Sequence, residues 1–158
     1  MKLSDKFKYE EIEWRVQQGG LKNGKPWALI LPYITSRAIM DRLDDVMTPP
    51  NWRDEYKQFD HGIVCTIYLR INDEWIGKSD GAPETNIDAF KGGLSDALKR
   101  AAVKWGMGRY LYSLKGPYFA DIVEGKAEYK SKIKDKATGK DVWISWNPPK
   151  DKEIYSDM

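Results

Sequence analysis

Every second residue between positions 63 and 71 is strongly hydrophobic, and most of the residues between them are polar or amphipathic. Isoleucine, cysteine and leucine occupy every second position, and the intervening positions hold Val64, Thr66, Tyr68 and Arg70. A period of two residues predicts a β-strand with one buried face. Turn sequences lie on both sides of this strand, so residues 52–59, 63–71 and 74–79 are predicted to form a three-stranded antiparallel meander.

The apolar spacing becomes helical on both sides of the meander. Apolar residues recur every three or four positions over residues 94–105, which predicts a long helix from about residue 86 to residue 107 that ends at glycines. An earlier helix is predicted over residues 37–47. Thr35 or Ser36 is its expected N-cap, and the two prolines that follow must end it.

The two ends of the chain carry weaker patterns. Apolar side chains four residues apart predict a short helix over residues 8–18, ended by a Gly-Gly pair, and residues 27–33 have the length and composition of a strand. Near the C-terminus, residues 128–134 and 141–146 are predicted to pair as a hairpin. Residues 147–158, with two prolines and many charges, predict a flexible tail.

Together these elements predict an α+β fold. Its centre is a three-stranded antiparallel β-meander packed on a long helix, a βββα core, with flanking helices and a C-terminal hairpin. The chain has 158 residues, enough for one domain with a hydrophobic core, and shows neither an internal repeat nor a linker. Residues 1–146 are therefore predicted to form a single domain.

Composition excludes several classes of protein. No apolar run approaches the roughly 18 residues of a membrane span, and the N-terminal residues lack the apolar segment of a secretory signal. The single cysteine, Cys65, cannot form an internal disulfide, which fits a reducing cytosol. Cys65 is predicted to lie in the core and His61, the one histidine, in a turn. One cysteine and one histidine do not provide the ligands of the usual structural zinc site.

Charge is distributed unevenly although the net charge is only +2. Residues 91–115 contain six cations and one acid, a local balance of +5. Arg100 and Lys104 lie four apart and share a helical face. Such a segment suits a polyanion, although a solvated helix face has the same pattern. Aromatic residues beside these and other cations could stack on nucleobases, and the expected ones are Tyr68, Tyr110 and Tyr112.

Two enzymatic interpretations can be weighed from the sequence. Asp80, Glu84 and Asp88 are spaced by four and could bind a metal ion in a nuclease, but acids also favour helix N-termini for electrostatic reasons alone. The structural explanation is preferred. The phosphate-binding pattern GxxxxGK[ST] is absent, so an ATP-driven recombinase or helicase is not expected.

Two blocks of the sequence resemble a known family. The first runs from PYITSR at residues 32–37 through DRLDDV at residues 41–46 to Asn51-Trp52. The second is GGLSDALKRA at residues 92–101, continued by Trp105-Gly106 and by GRYLY at residues 108–112. In this order and on either side of a meander, they resemble the Rad-fifty-two superfamily of single-strand annealing proteins. The similarity is greatest to its short phage and bacterial members, the Sak-like recombinases.

The resemblance implies a fold and an activity. Members of this family have a βββα core, assemble into rings or helical arcs, hold single-stranded DNA in a basic groove and pair complementary strands without ATP. It implies no catalytic residue, metal or cofactor, and a homo-oligomer in the cytoplasm of a bacterial cell. A phage or host single-strand-binding protein or an exonuclease is a candidate partner. By position, the groove cations are Arg37, Lys99 and Arg100, and further contributions are expected from Lys91, Lys104 and Arg109.

Three other functions remain open at this point. The α-β-β-β-α order also occurs in double-stranded RNA-binding domains, which recognise duplex shape. A metal-dependent nuclease would use the three carboxylates already named. A purely structural oligomer would bind no nucleic acid.

Overall fold

The computed structural model describes residues 1–83 and 89–150 of the chain. Within them lie two helices and nine strands, and the strands form three sheets of three strands each. The predicted α+β class is confirmed. None of the described helices is long and apolar enough to cross a membrane. The chain divides into two compact units, residues 1–12 with 34–110, and residues 13–33 with 111 onward.

The first unit contains both helices and the meander. Its elements are α1 (Ser36–Met47), β3 (Trp52–Phe59), β4 (Gly62–Ile71), β5 (Glu74–Pro83) and α2 (Ala89–Lys104). The second unit contains the other strands, except for the end residues Ile12 and Ile34; these strands are β1 (Ile12–Lys22), β2 (Lys25–Ile34), β6 (Tyr118–Phe119), β7 (Asp121–Val123), β8 (Tyr129–Lys134) and β9 (Asp141–Asn147). The sheet orders are β3-β4-β5, β1-β2-β6 and β7-β9-β8.

The alternation in β4 produces the core of the first unit. Ile63, Cys65, Ile67 and Leu69 are all at most 1% exposed, and α2 packs against β4 and β5. A Cβ added to Gly93 of α2 would lie 2.9 Å from Cδ1 of Ile63. The glycine therefore permits a close approach between the helix and a side chain of the strand.

The helix ends follow the expected capping chemistry. The Thr35 hydroxyl accepts a hydrogen bond from the Ala38 N–H at 3.2 Å at the start of α1. After α2, Met107 N–H donates to the Ala102 carbonyl and Gly106 N–H to the Val103 carbonyl. This is a Schellman motif, in which Gly106, with φ +95°, occupies the left-handed position.

The predicted helix over residues 8–18 is wrong. A 3-10 turn at Tyr9–Glu11 precedes β1, which alternates between more buried and more exposed positions from Ile12 to Gln17. Asn23 and Gly24 have φ values of +51° and +74°, the left-handed pair that a two-residue hairpin requires. The Gly-Gly pair lies inside β1, where a Cβ on Gly19 would lie 2.6 Å from Cγ2 of Ile133.

The other elements differ less from their predicted bounds. The third strand of the meander was predicted to end at residue 79, but β5 continues to Pro83, so Asp80 lies in a strand. The C-terminal hairpin is confirmed, with Lys134 opposite Asp141, and β7 adds a third strand to it that was not predicted. Strand β9 ends at Asn147, and residues 151–158 of the predicted tail lie outside the described residues. The single domain over residues 1–146 stays a prediction.

Arg42 of α1 is a buried cation, 7% exposed. Its guanidinium donates to the carbonyls of Lys2, Leu3, Asp5 and Lys6, with the shortest distance, 2.6 Å, to Asp5. It also lies 4.0 Å from the centre of the Phe7 ring. One side chain thus binds the N-terminal segment to α1.

Candidate nucleic-acid interface

Helix α2 carries most of the predicted DNA-binding cations. Lys91, Arg100 and Lys104 are exposed and Lys99 is half-buried, while Ala97, Ala101 and Ala102 of the same helix are fully buried. The Arg100 side chain is 53% exposed, and its Nε lies 3.5 Å from Oδ1 of Asp80 on β5. The Asp80 side chain is half-buried, whereas more than half of the Arg100 side chain is open to solvent, so the guanidinium is accessible to an incoming anion.

A contact between the two helices connects Arg37 with this group. The hydroxyls of Ser36 in α1 and Ser95 in α2 are 2.7 Å apart. Arg37 follows Ser36 directly and is exposed, and Lys99 lies one helical turn after Ser95. The first turn of α1 therefore lies beside the turn of α2 that precedes Lys99 and Arg100.

Arg109 has a structural role at the end of α2. Its Nη2 donates to the carbonyls of Val103 and Lys104 at 2.8 and 3.0 Å, and its Nε donates to Val103 at 3.0 Å. Lys78 Nζ reaches the Lys104 carbonyl at 3.3 Å. The last carbonyls of a helix lack partners within the helix and carry partial negative charge. Arg109 and Lys78 satisfy them.

We expect Arg109→Ala to destabilise the protein by about 1–2 kcal/mol, because it removes charge-assisted hydrogen bonds to the helix end. Chemical denaturation measures this change. Lys115→Ala removes an exposed cation nearby in the sequence and should change stability by less than about 0.5 kcal/mol. Equal stabilities of the two variants would contradict the capping role.

The three tyrosines predicted to stack on bases have different surroundings. Tyr68, on β4, has the Arg53 guanidinium 4.2 Å from its ring centre. The Tyr110 hydroxyl accepts a hydrogen bond from the Phe7 N–H at 3.2 Å, which gives it a role within the first unit. Tyr112 belongs to the second unit and is 72% exposed.

The Arg53 guanidinium contacts both Tyr68 and a second aromatic side chain, Trp75, and neither Arg53 nor Trp75 was among the predicted site residues. Arg53 pairs directly with Tyr68 in the register and also lies 5.3 Å from the ring centre of Trp75, which is 41% exposed. Arg53 also forms an ion pair with Glu55. Assigning the faces of all three strands from the period-two alternation, and not only those of β4, could have identified Arg53 and Trp75 together with Tyr68.

The family model for the Rad52/22 family double-strand break repair protein matches residues 1–67 and 63–128. These matches include the meander, both helices and every predicted DNA-binding cation. The chain belongs to the Rad52/22 family. The resemblance read from the two sequence blocks is thereby confirmed.

This Rad52/22 family member is similar in sequence to two single-stranded DNA-binding proteins. The single-stranded DNA-binding proteins DdrA of Deinococcus radiodurans and Deinococcus deserti are each 35% identical to it over 123 residues, or 72% of the chain. The chain spans 58% and 60% of the lengths of these two relatives. No solved structure gave a significant match.

Of the three carboxylates considered for metal binding, the structure of this family member describes only Asp80. Asp80 accepts a hydrogen bond from the Gly81 N–H at 2.8 Å and faces Arg100. Glu84 and Asp88 lie outside the described residues. Within residues 1–83 and 89–150, no three His, Cys, Asp or Glu side chains form a group that could hold a metal ion.

Cys65 and His61 lie where the sequence predicts them. Cys65 is fully buried, and burial raises the pKa of its thiol to about 12. Since the thiolate is the reactive form of cysteine, this thiol is unreactive at neutral pH. His61 is exposed in the turn between β3 and β4.

Proposed function

We propose that this protein binds single-stranded DNA and anneals complementary strands without ATP, in recombination or repair. The observation that carries the proposal is the set of exposed cations on α2 and the start of α1 in a member of the Rad52/22 family. The name of the two DdrA relatives, single-stranded DNA-binding protein, supports the same ligand.

The proposed mechanism uses contacts to the DNA backbone. Arg37, Lys99 and Arg100 bind phosphates, and Lys91 and Lys104 strengthen the local positive potential. Phosphate contacts hold a strand without reading its sequence, which leaves the base edges free to pair with a second strand. Arg100 exchanges the Asp80 carboxylate, 3.5 Å from its Nε, for a phosphate that approaches from the solvent side of its 53% exposed side chain.

We further propose that the protein acts as a homo-oligomer, a ring or a filament. A single subunit offers few phosphate contacts, and repetition along a strand raises the overall affinity without new chemistry. Strands β3 and β5 are the edges of the meander sheet. Edge strands present unpaired N–H and C=O groups that can pair with another chain.

The proposal includes no catalytic residue and no cofactor. Resemblance to the short phage and bacterial members supports a bacteriophage or prophage origin and a site of action in the bacterial cytoplasm. It also supports a single-strand-binding protein or an exonuclease as a partner.

Binding and annealing by the purified protein test the proposal directly. We expect a labelled oligonucleotide to be bound in a salt-dependent manner, and duplex DNA and double-stranded RNA to compete less well than unlabelled single strands. Two complementary oligonucleotides should anneal faster with the protein than without it, in the absence of any nucleotide. Preferential competition by duplex RNA would favour the RNA-binding alternative. Absence of binding to single strands would overturn the proposal.

A further inference from the structure

The C-terminal hairpin has one face that is rich in lysine. Lys130, Lys132 and Lys134 occupy alternate positions of β8 and are all exposed, whereas Ile133 between them is buried. On β9, Trp143 and Ser145 lie opposite Lys132 and Lys130. These five residues are called the hairpin face. The other face of the hairpin contains Trp146, which is fully buried and stacks on Tyr129 with ring centres 4.6 Å apart.

Trp143 stands open to solvent on the hairpin face. Its side chain is 62% exposed, and strand β7, which pairs with β9, reaches only the position opposite Ser145. The ammonium groups of Lys130 and Lys132 lie 5.9 and 5.7 Å from its ring centre. Exposing an indole to water is unfavourable, and Trp143 contributes little to the core, so the ring is available to an external partner.

The surrounding charge selects the class of partner. Residues 126–140 contain six lysines and two acids, a balance of +4. One acid, Asp135, accepts hydrogen bonds from Ala137 N–H and the Thr138 hydroxyl in the hairpin turn. Asp141 lies 3.5 Å from Lys132 Nζ and offsets part of that charge. A polyanion with flat apolar groups fits this surface.

We propose that the hairpin face is a second contact site for single-stranded DNA, at which a base stacks on Trp143 and the adjoining phosphates bind Lys130 and Lys132. Alternate side chains along a strand recur about every 6.8 Å, so the lysines offer a row of cations along the backbone. Base faces are accessible in single strands, and aromatic stacking tolerates any base. The match to the Rad52/22 family ends at residue 128, before this face begins. The inference rests on the proposed function.

Four variants of the full chain test this site by fluorescence anisotropy with an oligonucleotide and with a blunt duplex of equal length. Trp143→Ala should weaken binding to the single strand about tenfold, and Trp143→Phe should restore most of it. Neither should change binding to the duplex, whose bases are stacked internally. The paired change Lys130→Ala and Lys132→Ala should lower the slope of log affinity against log salt by about 1.4. Lys22→Ala with Lys25→Ala, in the turn of the other hairpin, is the charge-matched control.

The outcomes separate this inference from the proposed function. If wild-type protein binds the single strand and the Trp143 and Lys130/Lys132 variants bind as tightly, the hairpin site is wrong and the proposed function stands. If Trp143→Ala lowers the affinity for duplex and for single-stranded DNA equally, base stacking on Trp143 is wrong. An equal change in slope for the Lys22/Lys25 control overturns a specific lysine contact. If wild-type protein does not bind the single strand, both proposals fail.

Discussion

Replacing Lys99 and Arg100 together by alanine is expected to weaken single-strand binding by at least about tenfold at low salt. It should also remove most of the annealing activity. Both cations lie on the turn of α2 that follows the Ser36–Ser95 contact, close in sequence to that contact with the start of α1. Each phosphate contact on single strands contributes about 0.7 to the slope of log affinity against log salt. Loss of two contacts should therefore reduce the slope by about 1.4, measured by anisotropy titrations at several salt concentrations.

The meander offers a matched control for this variant. Lys57 and Arg70 are also one lysine and one arginine, both exposed, and the register places them on the face of the sheet opposite to Ile63 and Cys65. Changing both to alanine should leave affinity and salt slope nearly unchanged. A folded Lys99/Arg100 variant that anneals as fast as the control would contradict the groove assignment.

The meander can be predicted from the sequence because each of its strands and turns is defined by residues that are adjacent in the chain. The alternation in β4 defines one buried face, and a shift by one residue would expose Ile63, Ile67 and Leu69. The N-terminal segment is ambiguous instead. Ile12 and Val16 are four apart, which suits a helix, while Ile12 and Trp14 are two apart, which suits a strand. The Asn23-Gly24 turn resolves the ambiguity in favour of a hairpin.

The candidate site is only partly predictable for a different reason. The spacing of Arg100 and Lys104 along one helix follows from the helical period. The contact between the first turn of α1 and α2 joins Ser36 to Ser95, 59 residues apart in the sequence, and no periodicity predicts it. Arg109 is a similar case. The sequence shows that it is a cation, but it does not show that its guanidinium donates hydrogen bonds to the carbonyls at the end of α2.

Arg42 has the largest expected effect on stability. Its buried guanidinium donates to four backbone carbonyls of the N-terminal segment, and these lose their partner when the side chain is removed. Hydrogen bonds from charged donors are among the stronger ones, and unpaired buried acceptors carry a desolvation cost. We expect Arg42→Ala to lower the free energy of unfolding by about 3 kcal/mol. In a chain of this size that corresponds to a melting temperature lower by about 6–12 °C.

Two further substitutions separate geometry from charge in this effect. Arg42→Lys keeps the positive charge but replaces a planar group with five donors by a single ammonium, so an intermediate loss is expected. Arg37→Ala removes an exposed arginine from the same helix and should leave the melting temperature nearly unchanged. Because Arg37 belongs to the proposed phosphate-binding group, this variant should still lose affinity for single strands. If Arg42→Ala has the same melting temperature as Arg37→Ala, the buried guanidinium does not hold the N-terminal segment. The attachment of that segment to α1 would then come from Phe7 and its neighbours.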